Sequence, residues 1–119
     1  MSAIKVRMNK TIKKKWLKAL RSGRYKQGKQ YLRNSDNTYC CLGVLAKVMG
    51  RRWRKDSSGI DYALVDKSCT LNLDGVCLLP PAVMEAARIN PKIQNYLSTK
   101  NDSGDWPFNR IADWIERHL

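Results

Sequence analysis

Apolar residues recur along this chain with two different periods. Ile12, Trp16, Leu17 and Leu20 return at helical spacing, which predicts an amphipathic helix over 11–21. Asn9 or Thr11 can cap its start, and Gly23 can end it. The segment 29–33 reads as a short strand after a turn at Gly28, and Ser35-Asp36-Asn37 as a second turn. Residues 39–49 predict a buried helix with a stripe of Cys41, Val44/Leu45 and Val48, stopped by Gly50.

The period then shortens. Residues 51–55 and 60–65, joined through Asp56-Ser57-Ser58-Gly59, predict a hairpin. So do 69–73 and 76–79, joined through Asp74-Gly75. Pro80-Pro81 ends the strand region, a short helix covers 82–89, and Asn90-Pro91 breaks it. The run 93–97 fits either a strand or a helical turn. Residues 101–104 read as a loop, with Asp105 capping a final helix over 106–118. Its expected buried stripe is Phe108, Ile111, Ala112, Trp114 and Ile115, with Arg110, Asp113 and Glu116 outward. The expected architecture is α+β: amphipathic helices at both ends and a buried central helix packed with a small antiparallel sheet. A length of 119 residues suits a single domain over 9–119, preceded by a loose basic arm at 1–8.

Charge changes the picture more than composition does. Residues 1–55 hold 17 Lys and Arg against one acid, Asp36, whereas residues 56–119 hold 6 against 9 acids. The net charge of +13 is therefore one-sided, and a one-sided field attracts phosphate polymers, nucleotides, anionic membranes or acidic protein faces. Lys10, Lys14, Lys18 and Arg21 project from one face of the first predicted helix, with Lys15 near its edge and no acid among them. Basic and aromatic residues interleave at Arg24-Tyr25-Lys26, Lys29-Gln30-Tyr31 and Arg51-Arg52-Trp53-Arg54-Lys55. Cations there can meet phosphates and exposed rings can stack on bases; the alternative is that Trp53 and Tyr31 belong to the core. The candidate polyanion- or partner-binding set is thus Lys10, Lys14, Lys18, Arg21, Arg24, Lys26, Lys29, Arg51, Arg52, Trp53 and Arg54.

Catalytic and metal chemistry find little support. There is no Walker-type loop and no G-x-G-x-x-G. The single histidine, His118, lies at the end of the last predicted helix. Cys40, Cys41, Cys69 and Cys77 lack zinc-knuckle spacing and read as small buried hydrophobes. Asp61, Asp66 and Asp74 read as turn and strand-edge acids. The expectation is a protein that is not an enzyme and carries no cofactor or metal. No apolar run has the length of a membrane span, which leads to the expectation of no membrane partner.

Four ordered motifs carry a resemblance: Trp16-Leu17-Lys18-Ala19-Leu20-Arg21-Ser22-Gly23-Arg24-Tyr25, Tyr39-Cys40-Cys41-Leu42-Gly43-Val44-Leu45, Leu79-Pro80-Pro81, and Asn101-Asp102-Ser103-Gly104 with Phe108-Asn109-Arg110-Ile111-Ala112-Asp113-Trp114-Ile115-Glu116. Over most of its length the chain resembles a family of small, largely uncharacterised accessory proteins of tailed bacteriophages and prophages. The resemblance implies action in the cytoplasm of an infected bacterial host and supplies no catalytic residues. Two functions follow as expectations. One is binding of nucleic acid, a nucleotide or another polyanion through the basic N-terminal face. The other is inhibition of a host or bacterial defence complex, an anti-CRISPR role included, with that face on an acidic or nucleic-acid-loaded groove.

Overall fold

The computed structural model describes residues 7–55, 62–65 and 76–119. Among them are five helices and one two-stranded antiparallel sheet: α1 (Lys10–Arg21), α2 (Cys41–Val48), β1 (Trp53–Lys55), β2 (Tyr62–Leu64), α3 (Pro81–Ala87), α4 (Pro91–Asp102) and α5 (Phe108–His118). The fold is α+β, as expected. Both predicted turns at 56–59 and 74–75, the strand 69–73, Ile60, Cys69, and the acids Asp61, Asp66 and Asp74 lie outside the described residues, as do residues 1–6 of the arm. Met8, assigned to that arm, is buried in the core, and the Asn9 amide donates to the Ala87 carbonyl at 3.0 Å.

Helix α1 begins where an acceptor is available. Asn9 Oδ1 accepts from the Ile12 amide at 3.0 Å, which satisfies one of the helix's orphan donors. The apolar stripe turns Trp16, Ala19 and Leu20 into the core. Trp16 is fully buried, and its indole donates to the Cys41 carbonyl at 2.9 Å. A buried ring that also satisfies its polar atom fixes both the distance and the rotation between α1 and α2.

Helix α2 differs from its predicted stripe. Every residue from Cys41 to Ala46 is buried, so the helix is covered on all sides and forms the centre of the core. It packs against α1 and α4, while α5 packs against α1 and α4. Gly43 makes the tightest approach: a Cβ there would collide with the Leu32 carbonyl. Leu32 is itself fully buried, and its backbone takes the Cys40 amide at 3.3 Å and gives its own to Val76 at 2.7 Å. The segment 29–33 is therefore not a strand. It is a chain folded over the start of α2, held by isolated bridges between Tyr39 and both Gln27 and Arg33. Gln30 sits at φ 73°, which breaks any extended run.

The hairpin of β1 and β2 pairs Trp53 with Leu64, Arg54 with Ala63 and Lys55 with Tyr62. Downstream, the undecided run 93–97 lies inside α4, whose start is capped by Asn90 accepting from the Ile93 amide at 2.8 Å. Asn101 and Asp102, read as loop, form the last turn of α4. Pro107, not Asp105, occupies the cap position of α5, which starts at Phe108.

Replacing Gly43 by Ala is expected to destabilise the fold by about 3 kcal/mol, because the methyl group meets backbone that cannot rotate away. The midpoint of a urea or guanidinium titration measures this.

Candidate polyanion-binding face

The lysines and arginines of α1 divide into three groups. Arg21 and Lys13 turn toward α5. Arg21 Nη2 donates to Asp113 Oδ1 and to Glu116 Oε1, both at 2.8 Å, and Lys13 Nζ donates to the Glu116 carbonyl at 3.2 Å. The hydrogen bonds to Glu116 and then Asp113 raise the Arg21 pKa further, so this cation is matched within the fold. Arg21 thus departs from the expected uncompensated row: its partners come from the opposite end of the chain, where helix-spacing rules cannot see them. Lys10 and Lys14 are exposed. Lys15 and Lys18 lie on the other flank and line a groove.

That groove has a volume of about 620 Å³ and is bounded by Lys15, Lys18, Ala19, Ser22, Arg24, Tyr25 and Val48. It runs between the C-terminal ends of α1 and α2. Helix C-termini repel anions, each carrying roughly half a negative charge. Three full cations on Lys15, Lys18 and Arg24 outweigh two such ends, so the groove is positive. No lining residue is acidic. The single acid of the first 55 residues is used locally: Asp36 accepts from the Thr38 hydroxyl at 2.8 Å and the Thr38 amide at 3.2 Å. Those bonds hold its carboxyl below the usual range.

Tyr25 joins the groove to an aromatic cluster. Its ring meets Tyr39 edge-on at 5.5 Å, and Tyr39 meets Trp53 at 6.1 Å. The Arg33 guanidinium caps both Tyr39 and Trp53 at 5.6 and 5.7 Å, a contact absent from the predicted set. Trp53 is half-buried against the core, so it does not present an open ring for stacking. Its indole nitrogen is buried and finds no acceptor among the described residues. Arg52 and Arg54 are exposed, Arg51 is half-buried, and Lys26 is exposed beside the Tyr39 backbone.

Lys29 stands apart from that groove. It borders a smaller depression, about 250 Å³, lined by Gln27, Lys29, Asn101, Gly104, Trp106 and Pro107. At its floor Asn101 is buried with its amide fully used. Oδ1 accepts from the Cys41 amide at 3.1 Å and from Gln27 Nε2 at 3.0 Å; Nδ2 donates to the Gly28 carbonyl at 2.9 Å and to Asp102 Oδ1 at 3.1 Å. Beside the depression runs a row of rings that the sequence pattern missed. Trp106, Tyr96, Trp114 and His118 follow one another at centroid distances of 6.2, 4.9 and 4.5 Å. Trp114, placed in the buried stripe of α5, is only half-buried. The i, i+4 spacing of Trp114 and His118 was the available signal.

The cysteines offer little reactivity. Cys40 caps α2, its sulfur accepting from the Gly43 amide at 3.4 Å, and burial pushes its pKa from 9.0 up to about 12. Burial likewise raises Cys41. Among the described residues, no cluster of three or more His, Cys, Asp or Glu side chains is placed to hold a metal ion. Nor is any described helix long and apolar enough to cross a membrane.

Two outcomes follow. Arg21→Ala is expected to cost about 0.5–1 kcal/mol at low salt, since both carboxylates are largely solvated. It should change polyanion affinity far less than charge reversal at Lys15 or Lys18; paired denaturation and binding titrations measure both. The buried thiols give a pH signature. In the unfolded chain they ionise near 9, whereas burial keeps both protonated above that in the fold, Cys40 to about 12, so stability is full below pH 9 and falls as pH rises above it. Denaturation midpoints between pH 8 and 11, compared with a Cys40→Ala variant, report it as a shallower fall in the variant.

Comparison with curated proteins and with solved structures finds no match. Residues 8–119 match a family described as "Domain of unknown function (DUF8296)". That span takes in every helix and both strands described above, and on it the chain belongs to the DUF8296 family.

Proposed function

We propose that the protein binds nucleic acid through its phosphate backbone, with the groove between α1 and α2 as the centre of the contact. The observation that carries this reading is the groove itself: three cations, one tyrosine and no acid around about 620 Å³, on a helix that also carries exposed Lys14 and Lys10. Lys26, Arg52 and Arg54 are further exposed cations outside the groove. Cations on separate backbone elements follow a polymer of phosphates better than they enclose a single small anion. Together with the resemblance drawn from the sequence motifs, this favours a phage accessory protein working in the cytoplasm of an infected bacterium. The contact is to the backbone, and no base-reading helix of known docking geometry supports sequence specificity.

Affinity for labelled DNA is expected to fall steeply with salt. With about five phosphates neutralised, log K falls against log salt with a slope near −4.5 on duplex and about −3.5 on single strands. Reversing Lys15, Lys18 and Arg24 to Glu should reduce the slope by about three contacts' worth and weaken binding at least a hundredfold at low salt, with the thermal midpoint little changed. Unaltered binding in that variant, or no binding by the parent at low salt, would overturn the reading.

A further inference from the structure

The row of rings on α4 and α5 is unusual for its exposure and for its flanking charges. Tyr96 is 39% exposed, although it touches both Trp106 and Trp114. His118 is exposed and lies parallel on Trp114 at 4.5 Å and 17°, so its outer face meets solvent. The imidazole Nδ1 lies 2.8 Å from the Trp114 carbonyl, which holds the ring in that stacked position. The groups covering the row are cations. Lys100 Nζ stands 5.4 Å from the Tyr96 ring and 5.3 Å from Trp106, and the Arg110 guanidinium lies 4.5 Å over Trp106. At the Trp106 end the row meets the depression that Lys29 borders.

Exposed rings with cations beside and over their neighbours match one ligand chemistry: unpaired bases with their phosphates. Bases in a duplex have their faces occupied by neighbours, whereas those of a single strand do not. An acidic protein segment would pair with the cations but leave the ring faces unused. From this juxtaposition we infer that Tyr96 and His118, backed by Trp114, form a stacking platform for bases of a single strand, with Lys100, Arg110 and Lys29 receiving its phosphates. The inference rests on the nucleic-acid reading above and narrows it to unpaired strands. Stacking tolerates any base, so the platform adds affinity without sequence preference.

The test compares a labelled oligothymidylate with an abasic strand of the same length, which keeps the phosphates and lacks the bases. Fluorescence anisotropy of both, at one fixed salt concentration, is read for the full chain and for Tyr96→Ala/His118→Ala. Both positions are solvent-facing, and circular dichroism with a denaturation curve checks the variant's fold. Should the double variant lose its fold, His118→Ala alone, in the last turn of α5, takes its place. The expected result is about tenfold or more tighter binding of the base-bearing strand by the parent, with that preference lost in the variant and abasic binding unchanged. Equal binding of the two strands by the parent overturns the platform and leaves the phosphate reading standing. A preference that survives in the folded variant also overturns it, by placing base contacts elsewhere. If neither strand binds at low salt, both readings fall.

Discussion

The side-chain amide of Asn101 is the interaction on which the arrangement of the other parts depends. It is buried, and its oxygen accepts twice while its nitrogen donates twice. Those four bonds reach the first residue of α2, the side chain of Gln27, the carbonyl of Gly28 and the neighbouring Asp102. One side chain thereby ties the end of α4 to the start of the central helix and to the loop folded over it. A carboxylate in its place could not donate to Gly28, and an apolar residue would strand several buried polar groups at about 1–3 kcal/mol each. Gln27 passes the connection on by donating to the Trp106 carbonyl at 2.9 Å, which sets the entry to α5. The basic loop and the aromatic row therefore hang from the same bolt.

Much of this could be read from residue order, and the misses share a cause. Periodicity located α1 and α5, because their buried residues recur at helical spacing, and α2 was found as an apolar run although it is buried on every side. It found the β1–β2 hairpin from alternation. It failed at Asn101-Asp102-Ser103-Gly104, where residue type suggested a loop. Asn101 and Asp102 instead serve as acceptors from inside a helix, Asp102 taking the Gln30 amide at 2.9 Å. Ser103 caps the helix end by donating to the Lys100 carbonyl, and Gly104 turns the chain at φ 84°. Each of those polar residues answers partners 60 or more positions away or a local helix end, and composition cannot distinguish the two. The same blindness hid the pairing of Arg21 with Asp113 and Glu116.

Charge in this fold has two uses that are separate in space. On one flank of α1, Arg21 and Lys13 clamp α5 and neutralise its acids. On the other, Lys15 and Lys18 face a groove with no acid on its walls. One helix can do both because its turn of 100° per residue sends neighbours in sequence to different faces. Trp53 shows the opposite economy. A residue that the sequence left open between a stacking ring and a core residue is packed on Tyr39 beneath Arg33, so the cations around it mark the rim of the core.

Three of the four tryptophans give the molecule an optical map of itself. Trp16 is sealed in the core and bonded to the Cys41 carbonyl, so its emission should be blue and insensitive to anything that happens at the surface. Trp114 lies under an imidazole and Trp106 under a guanidinium, each a contact that alters the excited state of the indole. Light from this protein thus divides into a steady internal reference and a surface component. Spectral shape can therefore separate an event on the α4–α5 face from a change in the fold as a whole, with no added label.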